Sequence, residues 1–152
     1  MREPSSFALL PVRLFAGWVF LRAGLSKLAA GWLDHPRVSA VIEDWMKEDR
    51  GYAFFRPFLR GVVLPHPQLW SRLVVSGELL VGAALLAGLC TRAAALGGLL
   101  LTLAFLLARG DGFEANPTAP FVMMCATLLL SHSGRALGLD AALSDRLPRW
   151  LT

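Results

Sequence analysis

The stretch LVVSGELLVGAALLAGLCTRAAALGGLLLTLAFLLA, residues 73–108, decides the fold. One apolar block runs from about 73 to 90, a second fills 93–108, and the turn between them is only Cys90-Thr91-Arg92. So short a connection forces an antiparallel helical hairpin. At ~1.5 Å per residue the second block reaches about 24 Å, enough to cross a bilayer when Arg92 and Arg109 at its ends snorkel to the headgroups.

Outward from this hairpin, a block at about 7–33 follows the basic start Met1-Arg2. A secretory signal has an apolar region of roughly 7–15 residues, whereas this block is longer and holds Arg13, Arg22 and Lys27, so it reads as a retained span. A fourth block, about 118–133, follows Asn116-Pro117 and stops at Ser133-Gly134. The 152 residues are 55% apolar and 17% charged, and their mean hydropathy is +0.54, high for a soluble domain. The expectation is one all-α, integral membrane four-helix bundle with a tail over 134–152. Four spans put both termini on one side. That side carries Arg2, Arg13, Arg92, Arg135, Arg146 and Arg149 against Glu3, Asp140 and Asp145, which makes it cytoplasmic by the positive-inside rule. The net charge of +4 is scattered and many of the arginines lie at block ends rather than in a basic stripe on a polar face, so nucleic-acid binding is not expected; lipid is the expected environment.

Residues 34–71 form the one long connection. Val38, Val41, Ile42 and Trp45 recur at helical spacing, with Glu43, Asp44, Lys47 and Glu48 among the polar positions, so the segment starts as a helix lying on the membrane surface. Tyr52, Phe54, Phe55 and Phe58 then lead through Val62, Val63 and Leu64 to Pro65-His66-Pro67. This is an interfacial aromatic cap over the outer mouth of the bundle, read equally as a functional lid or as a headgroup-level aromatic belt.

Arg22, Lys27 and Glu78 need a reason to be in apolar spans, where a charge costs on the order of 2.5–3.5 kcal/mol on insertion scales. Counted from the expected helix ends, Arg22 lies ~12 Å, Lys27 ~4–5 Å and Glu78 ~9 Å below the outer edge. Arg13, Gly17, Phe20, Gly24 and Lys27 share one helical stripe, and its glycines let a neighbouring helix approach. Lys27 is therefore the first choice as partner of Glu78. Arg22, about 140° around the helix, faces another helix or competes for the same carboxylate. The cluster reads either as a structural ion pair with a spare cation or as a ligand or proton site. The loop after the third block brings Arg109, Asp111, Glu114 and Asn116 to the same mouth, where Asn116 reads first as a cap of the fourth helix. A polar mouth under an aromatic cap suits a quinone ring or a small sulfur anion.

Cys90 and Cys125 differ in depth and read as packing residues rather than a disulfide. His35 and His66 fall in the outer loop and His132 on the inner side, so no metal centre or covalently bound cofactor is expected.

Three stretches together resemble the DoxX family of small four-helix membrane proteins: residues 13–27, RLFAGWVFLRAGLSK; residues 77–92, GELLVGAALLAGLCTR; and residues 134–140, GRALGLD, with Asn116 between the last two. Within the family the nearest likeness is to the DoxD-like small subunit of thiosulfate:quinone oxidoreductase. The resemblance implies a bundle in the cytoplasmic membrane, a second subunit or a homo-oligomer, and thiosulfate oxidation coupled to quinone reduction. On that reading Glu78, Lys27 and Arg22 are catalytic, while Arg109, Asn116 and Arg13 bind substrate or quinone. The alternative is a non-catalytic scaffold that places a partner enzyme or binds lipid.

Overall fold

Three prolines, Pro11, Pro67 and Pro120, fall in the first turns of three helices, where the missing N–H costs no bond and the fixed φ favours the helical entry. The computed structural model describes residues 7–49, 51–131, 133 and 138–142. Its main helices are α1 (Leu10–Ala29), α2 (Arg37–Lys47), α3 (Pro67–Ala87), α4 (Thr91–Arg109) and α5 (Ala119–Leu130). All regular structure among the described residues is helical. The tail residues Arg135, Asp145, Arg146 and Arg149, together with Arg2, Glu3 and His132, lie outside them.

α3 and α4 are each long and apolar enough to cross a membrane. The hairpin between them is closed by Gly88 in the left-handed conformation (φ 63°). Gly88 N–H and Leu89 N–H return to the carbonyls of Leu85 and Ala84, the Schellman arrangement that satisfies a helix end. Three helices differ from the sequence reading, the first being α1, which spans Leu10–Ala29 where about 7–33 was expected. α3 begins at Pro67, six residues before the apolar block, because the polar turn Gln68–Arg72 is bonded to the preceding chain and winds with it. α5 has 12 residues, about 18 Å of helix, shorter than the expected 118–133.

α1 lies antiparallel on α3, its Gly17 against Leu85 and Leu86 and its Gly24 against Leu79. Small residues on both helices let the backbones close. α4 packs on both α3 and α5, and Phe20, Val81, Leu85, Ala95, Cys125 and Leu128 fill the space between the four helices.

The cap is a packed layer rather than a helix afloat on a surface. Val38 and Ile42 of α2 meet Leu59 and Val63, from a π-helical turn, over Ala108 of α4. Hydrogen bonds stitch this layer to the helix ends beneath it. Val38 N–H donates to Ser71 Oγ (3.0 Å), Gln68 Nε2 and Arg72 Nε donate to the Leu33 carbonyl (2.5 and 3.0 Å), and Trp70 Nε1 donates to Val62 (3.1 Å). Gly51 N–H and Tyr52 N–H cover the Arg109 and Leu107 carbonyls at the end of α4. Ser71→Ala should leave the buried Val38 N–H unpaired at a cost of about 1–3 kcal/mol confined to the cap. Amide exchange in the first turn of α2 is then expected to quicken while the α3–α4 hairpin keeps its protection. Unchanged exchange at Val38 would show that this bond does not hold the cap.

Candidate functional site: a caged ion pair behind an apolar cavity

Side chains on a helix lean toward its N-terminus, so on antiparallel helices they lean toward each other along the shared axis. Lys27, near the cap end of α1, leans away from the cap, while Glu78, at the middle of α3, leans toward it. They meet in a two-pronged ion pair, Lys27 Nζ donating to Glu78 Oε1 at 2.5 Å and Oε2 at 2.7 Å. The Glu78 side chain is 5% exposed and that of Lys27 21%, so the pair has little water to lean on. Aromatic faces take its place: the Lys27 ammonium stands 5.6 Å from the Trp32 ring and 5.5 Å from that of Phe105, within reach of a cation–π attraction.

Trp32 and Phe105 have a second side. Both also line an apolar cavity of about 220 Å³ between the cap and α3–α4, with Trp45, Phe58 and Trp70 among its other walls. Neither Lys27 nor Glu78 lines that cavity, but the Trp32 and Phe105 rings that do are the same two that stand 5.6 and 5.5 Å from the Lys27 ammonium. The arrangement therefore combines an apolar cavity with a buried ion pair that shares two aromatic neighbours with it. Val41 and Trp45, assigned to the apolar face of the surface helix, line this cavity.

The other expected site residues are dispersed. Arg22 does not face Glu78: it is exposed on the outside of α1, its guanidinium 5.5 Å from the Trp18 ring, because α3 packs on the opposite, glycine-bearing face. Arg109 pairs with Asp111 two residues on. Asn116 is buried and shapes the entry to α5, its Oδ1 accepting from Thr118 N–H (2.9 Å) and from Thr118 Oγ1, its Nδ2 donating to the Leu106 carbonyl. Arg13 is buried at the far end of α1, fourteen residues or ~21 Å from Lys27, where its Nη1 donates to the Ser133 carbonyl at 2.6 Å.

One residue that the sequence reading counted as a charge and as the end of the 134–140 stretch does structural work at that far end. The buried Asp140 carboxylate accepts from Cys90 N–H (2.6 Å) and Thr91 N–H (3.0 Å). A three-residue hairpin turn leaves such N–H groups without partners, and that need was the available signal for an acceptor nearby.

The DoxX family model matches residues 8–109, two thirds of the chain. The chain belongs to the DoxX family. The matched segment of this DoxX protein holds Lys27, Glu78, Trp32, Phe105 and all the cavity walls, and Asn116 and Asp140 lie beyond it. No curated protein and no solved structure matches the chain.

Proposed function

We propose that this DoxX protein is a four-helix bundle of the cytoplasmic membrane, with both termini cytoplasmic, and that it serves as the quinone-side subunit of an oxidoreductase. α1, with 20 residues, is long enough at ~1.5 Å per residue to cross alongside α3 and α4. Two of its three charges, Arg13 and Lys27, are bonded inside the protein, which lowers the cost of placing them there. α5 completes the bundle against α4.

The observation that carries the reading is the apolar cavity whose Trp32 and Phe105 walls also stand 5.6 and 5.5 Å from the ammonium of the Lys27–Glu78 pair. Pockets that enclose a whole drug-sized ligand run to ~300–1,000 Å³. A smaller apolar cavity suits a single ring whose isoprenoid tail stays in the lipid. Quinone reduction takes two electrons and two protons; the Trp32 and Phe105 rings must turn aside for Lys27 to meet the developing oxyanion and for Glu78 to pass it both protons, drawn from water one after the other. The DoxD-like donor, thiosulfate, is a hydrated dianion unsuited to this chamber. Two thiosulfates joining to tetrathionate release the two electrons at the aqueous mouth or on a second subunit.

The test uses the purified protein in lipid nanodiscs. A short-tailed quinone should quench Trp32, Trp45 and Trp70 fluorescence, and Ala104→Phe, which fills the cavity wall, should weaken that binding about tenfold. Quenching indifferent to Ala104→Phe rejects the cavity as the site. With thiosulfate supplied, Glu78→Gln should abolish quinol formation while quinone still binds. Binding with no turnover in the wild-type chain, alone or with co-purified subunits, would favour the non-catalytic scaffold.

A further inference from the structure

Arg22 is left over by the pairing of Lys27 with Glu78. It sits past the midpoint of α1, and its guanidinium lies back along the helix over Trp18, one turn closer to the N-terminus. Side chains on a helix lean that way, so the charge is carried toward the bilayer centre and away from the cap-side interface. Shallow hollows on either side of it are walled by Trp18, Val19, Leu21, Ala23, Leu25 and Ser26. Phe15 and Trp18, each 51% exposed, stack on one another and continue this outward face. No carboxylate pairs with Arg22 among the described residues.

An exposed cation at that depth needs an anion, because lipid tails solvate neither the charge nor its N–H donors. The chain has 11 acidic residues, and Glu78 is the one within the proposed spans; both of its oxygens are taken by Lys27. A second copy of this protein therefore has no carboxylate to offer at the depth of Arg22. Lying over Trp18, the side chain points away from the interface where lipid phosphates sit. We propose that the Phe15–Trp18–Arg22–Leu25 face of α1 docks a transmembrane helix of a different protein, one that carries an Asp or Glu near its midpoint. The inference rests on the membrane-spanning reading above. The aromatic residues supply the packing surface, and the Arg22–carboxylate pair sets depth and register.

The experiment pairs the full-length protein in bilayer nanodiscs with synthetic Leu/Ala-rich transmembrane helices bearing a central Asp, Asn or Leu, and reads association by energy transfer. The Asp helix is expected to bind about tenfold more tightly than the Asn or Leu helix, and Arg22→Leu should remove that preference while Arg22→Lys keeps part of it. Association indifferent to the Asp, or unaltered in Arg22→Leu, overturns the proposal, as does self-association that depends on Arg22. A spin label at Arg22→Cys separates this from failure of the underlying reading. Oxygen-accessible, water-shielded label with no Asp preference refutes the docking face alone; a water-accessible label refutes the spanning reading and the proposal together.

Discussion

Lys27→Met is expected to destabilise the protein by about 3–5 kcal/mol, the usual result of removing one partner from a buried ion pair. The loss comes mainly from Glu78, which keeps its burial and loses both hydrogen bonds that its oxygens accept. It also removes the cation from beside the Trp32 and Phe105 rings. Restoring neutrality should recover most of the stability: the double variant Lys27→Met/Glu78→Leu is expected within about 1–2 kcal/mol of the wild type, since apolar replacements of a buried pair are often neutral. Thermal or steric-trapping unfolding in bicelles measures both. If the pair exists for architecture alone, the double variant keeps quinone turnover; on the reading proposed above it is stable and inactive. A Lys27→Met variant as stable as the wild type would mean that the pair is solvated and the cage around it open.

The second large effect is at the helix crossing that brings the pair together. A methyl group added at Gly82 would lie 2.7 Å from the Leu21 Cα, closer still to the Leu21 nitrogen, and 2.9 Å from the Gly17 carbonyl oxygen. These are backbone atoms, so no side-chain rotation relieves the clash and α1 must move off α3. Gly82→Ala is expected to cost about 3 kcal/mol, at the upper end for overpacking in a closed core. Gly82→Leu should prevent the two helices from docking. Because Lys27 and Glu78 face each other across the same seam, Gly82→Ala should also loosen their pair, seen as a Lys27 ammonium that exchanges faster by NMR. Gly61→Ala is the control: nothing lies within 4 Å of a methyl group there, and its stability should stay within about 0.5 kcal/mol of the wild type. Equal effects at the two glycines would show that the α1–α3 approach is looser than the geometry indicates.

Much of this architecture is written locally. The α3–α4 hairpin follows from two long apolar runs and a turn too short for any other path. The apolar face of α2 follows from its 3.6-residue period, and the seam of α1 from the spacing of Arg13, Gly17, Phe20, Gly24 and Lys27, of which the first four are buried. The pairing of Lys27 with Glu78 was legible for the same reason, since the lysine shares a stripe with the glycines. The start of α3 was not, because Gln68 and Arg72 are polar and wind into helix while bonded to a carbonyl 35 and 39 residues upstream.

The sequence by itself determined which segments are helical, which face of α1 is small enough for close approach, and that a carboxylate in an apolar span needs a cation. Periodicity, length and composition act within a few turns of chain and are visible along it. Tertiary structure alone decided where the remaining groups go. Arg22 and Arg13 carry the same charge on the same helix as Lys27, yet the side on which α3 and the residues around Ser133 and Asp140 pack sends one outward and the other into a distant buried bond. The cavity, too, exists only because the cap folds back over α3 and α4, bringing Trp32 and Phe105, 73 residues apart, to the walls of one cavity and within reach of one ammonium. Contacts between residues so far apart are set by the packing of whole helices and have no local period to be read.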